Sequence, residues 1–363
     1  MALAASPEGT DKFFHLHSIH ADKKRKIDGL KVSNLGMGTL LGDIDRRVDQ
    51  QYLKAIISVV KGGVNVLDSA PNFRRQKSEA VIGKALKELK EEGITRDQLV
   101  LLSKGGYLAM EEGEDPFELQ VQKNYLDKKW VKPEEIVAGC HCLAPKFLKL
   151  QIEHSLENMG LASFDFFFLH NPEIQLEEKN PLEFEELLLK AFEALEEKVQ
   201  KKEIHNYGIT SWKGFRAKKE TKYCLNLSYL LSLAEKIGGK NHHFRAIQVP
   251  INLIMLEAFK IKNQPKEEDR YQTIMEAAQE LHISVFAFAP LMEGQIFHLP
   301  PRVFDKLPQE SSTTLSALQV VSSHPAVVSI LMGMKDPIHI KENLKLLQMP
   351  NWETEVWKKT LSL

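Results

Sequence analysis

The sequence predicts an α/β protein, a (β/α)8 TIM barrel with an N-terminal hairpin and a long insertion after the third strand. Eight short runs rich in β-branched and aromatic residues alternate with longer segments of helical period, which is the pattern of repeated βα units. An open doubly wound sheet would need a Gly-x-Gly-x-x-Gly turn after the first strand, but Gly36, Gly38 and Gly42 have the wrong spacing. The chain has 363 residues, of which 43% are hydrophobic, so it can bury a barrel core.

The first elements in chain order are a hairpin and the strands that follow it. Asp28 and Gly29 lie between two short runs within residues 13–32, which predicts a two-residue hairpin turn that could close the bottom of the barrel. The later strands are short and apolar, as strands buried on both faces should be. They are predicted at residues 32–39, 64–68, 99–104, 164–170, 204–210, 244–249, 283–289 and 327–332.

Amphipathic helices separate the strands, and several carry clear end signals. The helix after the fourth strand begins with Asn180, Pro181 and Glu183, an N-cap, a first-turn proline and a capping acid. Pro145 begins an earlier helix that Gly160 ends. The helices are predicted at residues 49–62, 78–92, 145–160, 181–195, 225–237, 271–281 and 313–322, with an eighth beginning at Pro337.

One barrel with extensions is expected, because no linker interrupts the chain. Residues 1–31 form the predicted N-terminal arm and hairpin, residues 32–347 the barrel, and residues 348–363 a C-terminal tail. Residues 105–144 are polar and broken, which predicts an insertion. It leaves the strand that ends in Lys104, so we expect it to lie over the active site as a lid.

Composition and charge narrow the function classes. The 48 Lys and Arg residues balance 49 Asp and Glu residues, so no global basic field would hold nucleic acid or an anionic membrane. Residues 1–17 have no apolar core flanked by basic residues, and no run of 18 apolar residues occurs, so neither a signal peptide nor a membrane span is expected. The cysteines Cys140, Cys142 and Cys224 are too few and odd in number for a disulfide framework. A cytoplasmic protein that acts on a small molecule is expected.

Polar residues end several strands, where a barrel of this kind has its active site. Asp68, Lys104 and His170 end the second, third and fourth strands, so we expect them to form one buried charged cluster. The carboxylate would hold the ammonium, and the ammonium would tune the acidity of a neighbouring group. Further polar residues near strand ends are Thr210, Ser211 and Gln248.

These residues lie in motifs that resemble the aldo-keto reductase superfamily, in a divergent and little-described bacterial branch of it. The stretches LGMGT at 35–39, GVNVLDSA at 63–70, DFFFLHNP at 165–172 and AFAPL at 287–291 match family motifs. Shorter matches lie at 78–79, 82–86, 102–104, 155–161, 207–209 and 342–343. The set keeps the family's order over nearly the whole chain.

The resemblance implies an oxidoreductase that passes a hydride between NAD(P)H and a carbonyl or alcohol substrate. In that family an Asp, a Tyr, a Lys and a His form the site, and the matching catalytic positions are Asp68, Lys104 and His170. Phe73 stands where the family has its tyrosine proton donor. Phenylalanine has no hydroxyl to donate, so activity is expected to be weak. Tyr107 and His170 are the candidate replacements, and we expect His170 to serve.

The resemblance also implies a cofactor path across the barrel mouth. Thr210 and Ser211 stand where the family has a Ser-Asn pair for the nicotinamide amide, and Phe288 replaces a stacking tyrosine. His339 takes the place of the arginine that grips an adenosine 2′-phosphate, beside local basic charge. NADP(H) is therefore expected first, with NAD(H) possible. The expected cofactor-binding residues are Thr39, Thr210, Ser211, Gln248, Phe288, Leu291, Gly294, Lys335, His339, Glu342 and Asn343.

Other sites and functions compete with this prediction. Adjacent residues of the Cys140-His141-Cys142 run point to opposite sides of an extended segment, and no second Cys/His pair has zinc-like spacing, so no metal is expected. A Schiff-base role for Lys104 is disfavoured, because Asp68 would keep the ammonium charged. A catalytically reduced barrel that binds nicotinamide cofactor as a sensor or interaction subunit stays open as an alternative.

Overall fold

A computed structural model describes residues 4–111, 113, 115–308 and 310–362. Residues 1–3 of the expected N-terminal arm, residues 112 and 114 of the expected insertion and residue 363 of the expected tail lie outside the described residues, as does residue 309. In the described part, eight parallel strands close into a barrel, and a hairpin precedes it. The predicted fold class is therefore confirmed.

The strands of the described chain form the barrel and two hairpins. The first hairpin pairs β1 with β2, the second pairs β9 with β10, and the barrel runs β3-β4-β5-β6-β7-β8-β11-β12 and back to β3. In chain order the strands are β1 (Lys24–Ile27), β2 (Leu30–Ser33), β3 (Leu35–Gly38), β4 (Val66–Asp68), β5 (Val100–Gly105), β6 (Phe164–His170), β7 (Ile204–Thr210), β8 (Phe244–Pro250), β9 (Lys262–Glu267), β10 (Arg270–Thr273), β11 (Ser284–Phe288) and β12 (Val327–Gly333).

Helices connect the strands and begin where the sequence offers caps. Asn180 accepts hydrogen bonds from the backbone N–H groups of Leu182 and Glu183, and the Glu183 carboxylate accepts one from Asn180 N. No described helix is long and apolar enough to cross a membrane. The helices are α1 (Pro7–His15), α2 (Arg46–Lys61), α3 (Lys77–Glu91), α4 (Phe117–Val121), α5 (Pro145–Met159), α6 (Pro181–Gln200), α7 (Leu227–Gly238), α8 (Glu257–Lys260), α9 (Ile274–Glu280), α10 (Pro301–Phe304), α11 (Thr313–Ser322), α12 (Pro337–Asn343) and α13 (Thr354–Leu361).

The N-terminal hairpin covers one end of the barrel interior. Its turn residues Asp28 and Gly29 have φ angles of 49° and 80°, the left-handed pair that a two-residue hairpin requires. Apolar side chains of the hairpin and of the barrel interior form one cluster, which includes Ile27, Leu30, Val32, Val66, Val100, Phe166, Phe168 and Phe286. The active-site end of the barrel is therefore the opposite one.

Most predicted bounds shift by a few residues in the structure, and two of the differences have a clear local cause. The predicted strand at 32–39 is broken at Asn34, whose side chain donates to Val327 O at 3.1 Å while its N–H donates to Lys23 O. These bonds turn the chain from the hairpin into the barrel. The helix predicted from Tyr271 begins at Ile274 instead, because Thr273 caps it and Tyr271 belongs to β10, which pairs with β9.

In the described part of the segment 105–144, apolar side chains pack against one another. It contains α4, and its two ends meet where Tyr107 and His141 form an isolated antiparallel bridge. The Tyr125 hydroxyl donates to Ala109 O at 2.7 Å. Apolar residues of the segment pack with residues of α5, and this cluster includes Leu108, Val121, Tyr125, Val131, Cys142, Phe147 and Leu150.

Candidate active site

Asp68 and Lys104 form a buried ion pair where β4 and β5 end. Lys104 Nζ lies 2.6 Å from both carboxylate oxygens of Asp68 and 2.9 Å from Ser69 O. Gln248 Nε2 donates to Asp68 Oδ1 at 3.0 Å, so the carboxylate holds two side-chain donors. Burial lowers the pKa of Lys104, and the charge and hydrogen bonds of Asp68 oppose that shift. Asp68 thereby keeps the Lys104 ammonium fixed at the mouth of the barrel.

Phe73 and His170 lie beside this pair. The Phe73 ring centroid is 4.9 Å from Lys104 Nζ, a cation–π contact, and 6.1 Å from the His170 ring in an edge-to-face arrangement. Phe73 therefore fills the space next to both the ammonium and the imidazole without offering them a hydroxyl. Burial and the positive charge of Lys104 lower the pKa of His170 well below its ordinary value, so the imidazole is neutral at pH 7.

Tyr107 contacts His170 from the start of the insertion. Its ring lies edge-to-face to the rings of His170 and His141, with centroids 4.8 Å and 5.0 Å away. Its hydroxyl accepts a hydrogen bond from Asn171 Nδ2 at 2.9 Å. Asn171 has a φ of 51°, a left-handed conformation that asparagine tolerates, and so turns the chain directly after β6. Burial raises the pKa of Tyr107.

The side chain of His141 forms a hydrogen bond with the backbone of His170. His141 Nε2 is 2.7 Å from His170 O, and Gln175 Nε2 donates to His141 Nδ1 at 2.9 Å, which places the imidazole proton on Nε2. Burial lowers the pKa of His141 to about 4. No group of three or more His, Cys, Asp or Glu side chains in the described chain is arranged to hold a metal ion. The Cys-His-Cys run thus contributes a buried hydrogen-bonding histidine.

A buried carboxylate organises the loop after β7. Glu173 Oε1 accepts hydrogen bonds from Ser211 Oγ at 2.7 Å and from the N–H groups of Lys213 and Gly214. Burial raises the pKa of Glu173. Thr210 ends β7 beside His170, and its backbone carbonyl accepts from Asn171 N at 2.7 Å. The loop expected to bind nicotinamide is therefore held to the segment after β6.

The other expected cofactor residues line the same end of the barrel. Phe288 lies at the end of β11, with its ring centroid 5.7 Å from that of Trp212. Thr39 is buried and donates to Asp68 O at 3.1 Å. Gly294 N donates to Leu291 O at 2.9 Å and closes a turn whose residues 292–294 all have positive φ angles.

Two buried amide oxygens lack hydrogen-bond partners at the two ends of the expected cofactor path. They are Gln248 Oε1 beside Asp68 and Asn343 Oδ1 at the end of α12, each without a partner among the described residues. A buried polar atom of this kind normally has a partner, and a bound carboxamide or adenine can provide it. Glu342 and Lys335 are half-buried and His339 is exposed near Asn343. The residues present fit a nicotinamide dinucleotide.

The site includes side chains that the strand-end argument did not select. His141, Asn171, Glu173 and Gln175 were missed as functional positions, although three of them follow His170 within five residues. Glu79 was also missed; it is buried and accepts from Ser103 Oγ at 2.8 Å and from Asn158 Nδ2 at 2.9 Å. The alternating polar residues Asn171, Glu173 and Gln175 directly after a strand end were the available signal for those three positions.

Three comparisons relate this chain to known proteins. A model described as the aldo/keto reductase family matches residues 34–362. An aldo-keto reductase of Bacillus halodurans in its holo form is 19% identical, with a TM-score of 0.65 over 94% of this chain and 95% of that one. An aldo/keto reductase of Klebsiella pneumoniae in complex with NADP and acetate is 17% identical, with a TM-score of 0.61 over 93% of this chain and 94% of that one.

A curated relative of the chain is the NADH-specific methylglyoxal reductase of Escherichia coli strain K12. It is 24% identical over 149 residues, which is 39% of this chain and 39% of the relative. The chain therefore matches well under half of that relative's length. At these identities the solved structures show a shared barrel fold.

Proposed function

The chain belongs to the aldo/keto reductase family of oxidoreductases, and from that premise we propose that it is an NAD(P)H-dependent enzyme acting on a small carbonyl or alcohol substrate. The observation that carries the proposal is the buried Asp68–Lys104 pair next to His170 at the carboxyl ends of neighbouring strands. Strand ends are where barrels of this kind perform chemistry.

Each residue of the site has a defined task in this proposal. The neutral imidazole of His170 offers an N–H donor that orients the carbonyl oxygen. The ammonium of Lys104 provides fixed positive charge next to the oxygen on which negative charge develops. Asp68 holds that ammonium in place with two hydrogen bonds. A reduced nicotinamide, when bound, supplies the hydride.

We propose that NADP(H) is the preferred cofactor and that NAD(H) is used less well. Gln248 would hold the carboxamide, Phe288 would stack on the ring, and Asn343 would contact the adenine. Lys335 gives the far end of the path local positive charge and exposed His339 offers a hydrogen-bonding ring there, although neither can grip a phosphate in two places as an arginine does. The ratio of kcat/KM for NADPH and NADH measures this preference.

Phe73 makes weak activity part of the proposal. Losing a positioned general acid costs about 10² to 10⁴ in rate. The test is NADPH consumption over a panel of aldehydes and quinones, before and after Phe73→Tyr. We expect slow turnover by the natural chain and faster turnover by the variant, because the new hydroxyl would lie next to Lys104 and His170. The proposal fails if neither protein consumes NADPH.

A second candidate function rests on the same substitution. Without a hydroxyl at Phe73 the barrel can bind the cofactor as a sensor or interaction subunit and leave it unreacted. In that case NADPH raises the melting temperature of the natural chain, but no carbonyl compound is turned over.

We also propose that the segment 105–144 serves as a lid. Its two ends lie beside β5 and β6, and Arg75 donates to Gly113 O at 2.9 Å across the mouth-side loop after β4. Limited trypsin digestion tests this proposal: NADPH should slow cleavage within 105–144, and an unchanged cleavage rate with bound NADPH would contradict it.

A further inference from the structure

We propose that Tyr107 is the proton donor of this site and replaces the hydroxyl that Phe73 lacks. The inference rests on the proposed carbonyl reduction. It assigns proton donation, for which the sequence offered both Tyr107 and His170, to Tyr107. It departs from the expectation that His170 would donate the proton.

Tyr107 reaches the same histidine as Phe73 does. The Tyr107 ring centroid lies 4.8 Å from that of His170, and the Phe73 ring centroid lies 6.1 Å from it. Both rings contact the imidazole in an edge-to-face arrangement and not through a hydrogen bond. A carbonyl oxygen bound by His170 is therefore close to a phenol, although that phenol comes from the start of the insertion.

The hydroxyl of Tyr107 is held so that its proton is available. Trp212 N donates to Asn171 Oδ1 at 2.8 Å, which fixes the orientation of the Asn171 amide. The amide nitrogen must then donate to Tyr107 Oη, and the two atoms are 2.9 Å apart. The hydroxyl accepts this bond, and its own O–H has no acceptor among the described residues. A substrate oxygen can therefore receive it.

The protonation states favour Tyr107 over His170 as the acid. Burial, the charge of Lys104 and nearby His141 lower the pKa of His170, so it carries no extra proton at neutral pH. Burial raises the pKa of Tyr107, against the opposing effect of Asn171, so the phenol stays protonated. The alkoxide formed by hydride addition is a far stronger base than a phenolate and takes that proton readily.

Hydride and proton transfer together convert the carbonyl group to an alcohol. Reduced nicotinamide, when bound, would supply a hydride to the carbonyl carbon, and the electron pair of the C=O π bond would move onto oxygen. That oxygen takes the proton of Tyr107 Oη, which gives an alcohol and a phenolate. Asn171 donates to the phenolate, and solvent returns the proton. The reverse reaction needs a phenolate at the start, so we expect carbonyl reduction to exceed alcohol oxidation.

The experiment compares Tyr107→Phe with the natural chain. We expect kcat for carbonyl reduction to fall about 10²-fold or more, while KM and the NADPH affinity measured by fluorescence titration stay within about twofold. Tyr125→Phe is the matched control, because it removes a hydroxyl from the same insertion, and among the described residues that hydroxyl bonds to Ala109 O alone. It should leave kcat unchanged.

The double variant Phe73→Tyr/Tyr107→Phe separates a chemical role from a structural one. A hydroxyl restored at position 73 should recover the kcat that Tyr107→Phe loses, because the donor has only moved. Unchanged kcat in Tyr107→Phe overturns the inference and leaves the proposed function standing. A natural chain that binds NADPH without turnover overturns both. Loss of NADPH binding in Tyr107→Phe, or no recovery in the double variant, assigns Tyr107 a structural role and also overturns the inference.

Discussion

At the scale of single residues, the site differs from a tyrosine-containing one by a missing hydroxyl at Phe73. Lys104 is held by Asp68 and faces the phenyl ring of Phe73. There is therefore no hydroxyl at position 73 whose pKa the ammonium could lower. It acts on His170 instead and lowers the pKa of that imidazole. In the role we propose, the proton comes from Tyr107 rather than from position 73, and the Asp68–Lys104 pair is intact.

His141 should make the folded state sensitive to acid. Its ordinary pKa is 6.5, and burial lowers this to about 4 in the folded protein. Between these values the unfolded chain binds a proton that the folded chain does not bind. The stability that neutral His141 provides is therefore full above about pH 6.5 and is lost as the pH falls toward 4. At pH 5 this group should lower the free energy of unfolding by about 2 kcal/mol relative to pH 7.5.

Urea unfolding at the two pH values measures this effect, with His141→Gln as the reference. The variant should lose about 2 kcal/mol less between pH 7.5 and pH 5 than the natural chain. His324, whose pKa burial lowers to about 3, is present in both proteins and cancels from the difference. Equal losses in the two proteins would contradict the assignment of a neutral, buried His141.

Some of these residues could be predicted from the sequence and others could not. Asp68, Lys104 and His170 end neighbouring strands, and closure of the barrel brings such ends together. The contact between Tyr107 and Asn171 joins residues 64 positions apart and depends on how the insertion folds back. The local sequence pattern does not predict that the insertion folds back onto the segment after β6.

At the scale of elements, Gly106 lets β5 pass into the insertion next to β6. Its φ is 144°, and a Cβ there would lie 2.9 Å from His141 Nε2 and 3.0 Å from His170 O, the two atoms of a hydrogen bond. Gly106→Ala should break that bond and displace His170 and Tyr107. We expect a loss of about 1–3 kcal/mol in stability together with a fall in kcat.

Gly113→Ala is the matched control for this prediction. Gly113 lies in the same insertion with a φ of 151°, but a Cβ there would meet no atom of the other described residues within 4 Å. Both variants introduce a strained backbone, and only Gly106→Ala adds the clash. Chemical denaturation and steady-state kinetics should therefore show a larger effect for Gly106→Ala. Equal effects would mean that backbone strain alone explains the change.

Barrel strands were easier to predict than the added elements. Strands β6 and β7 have the predicted bounds, because a strand buried on both faces is a continuous apolar run. The hairpin of β9 and β10 was missed, since residues 262–273 are mostly polar and show no apolar alternation. Its turn at Asp269, with a φ of 58°, carries no glycine to mark it.

At the scale of the whole molecule, the extensions are tied into the barrel. The predicted C-terminal tail at 348–363 contains α13, and Trp357 Nε1 donates to Val320 O on α11 at 2.7 Å. The family match also runs through this helix to residue 362. The N-terminal hairpin closes one end of the barrel, and the insertion adds Tyr107 and His141 to the other. Residues beyond a minimal barrel thus form part of the candidate site.

We have proposed that the Asp68–Lys104 pair serves an NAD(P)H-dependent carbonyl reduction. The most direct measurement is steady-state NADPH oxidation with an aldehyde panel, by the natural chain and by Asp68→Asn/Lys104→Met. The double variant removes both charges together, so no buried charge is left unpaired, and its melting temperature confirms folding. We predict that the natural chain oxidises NADPH with at least one aldehyde and that the variant is about 10²-fold slower or worse. No oxidation by the natural chain, or equal rates in the two folded proteins, would contradict this role of the Asp68–Lys104 pair.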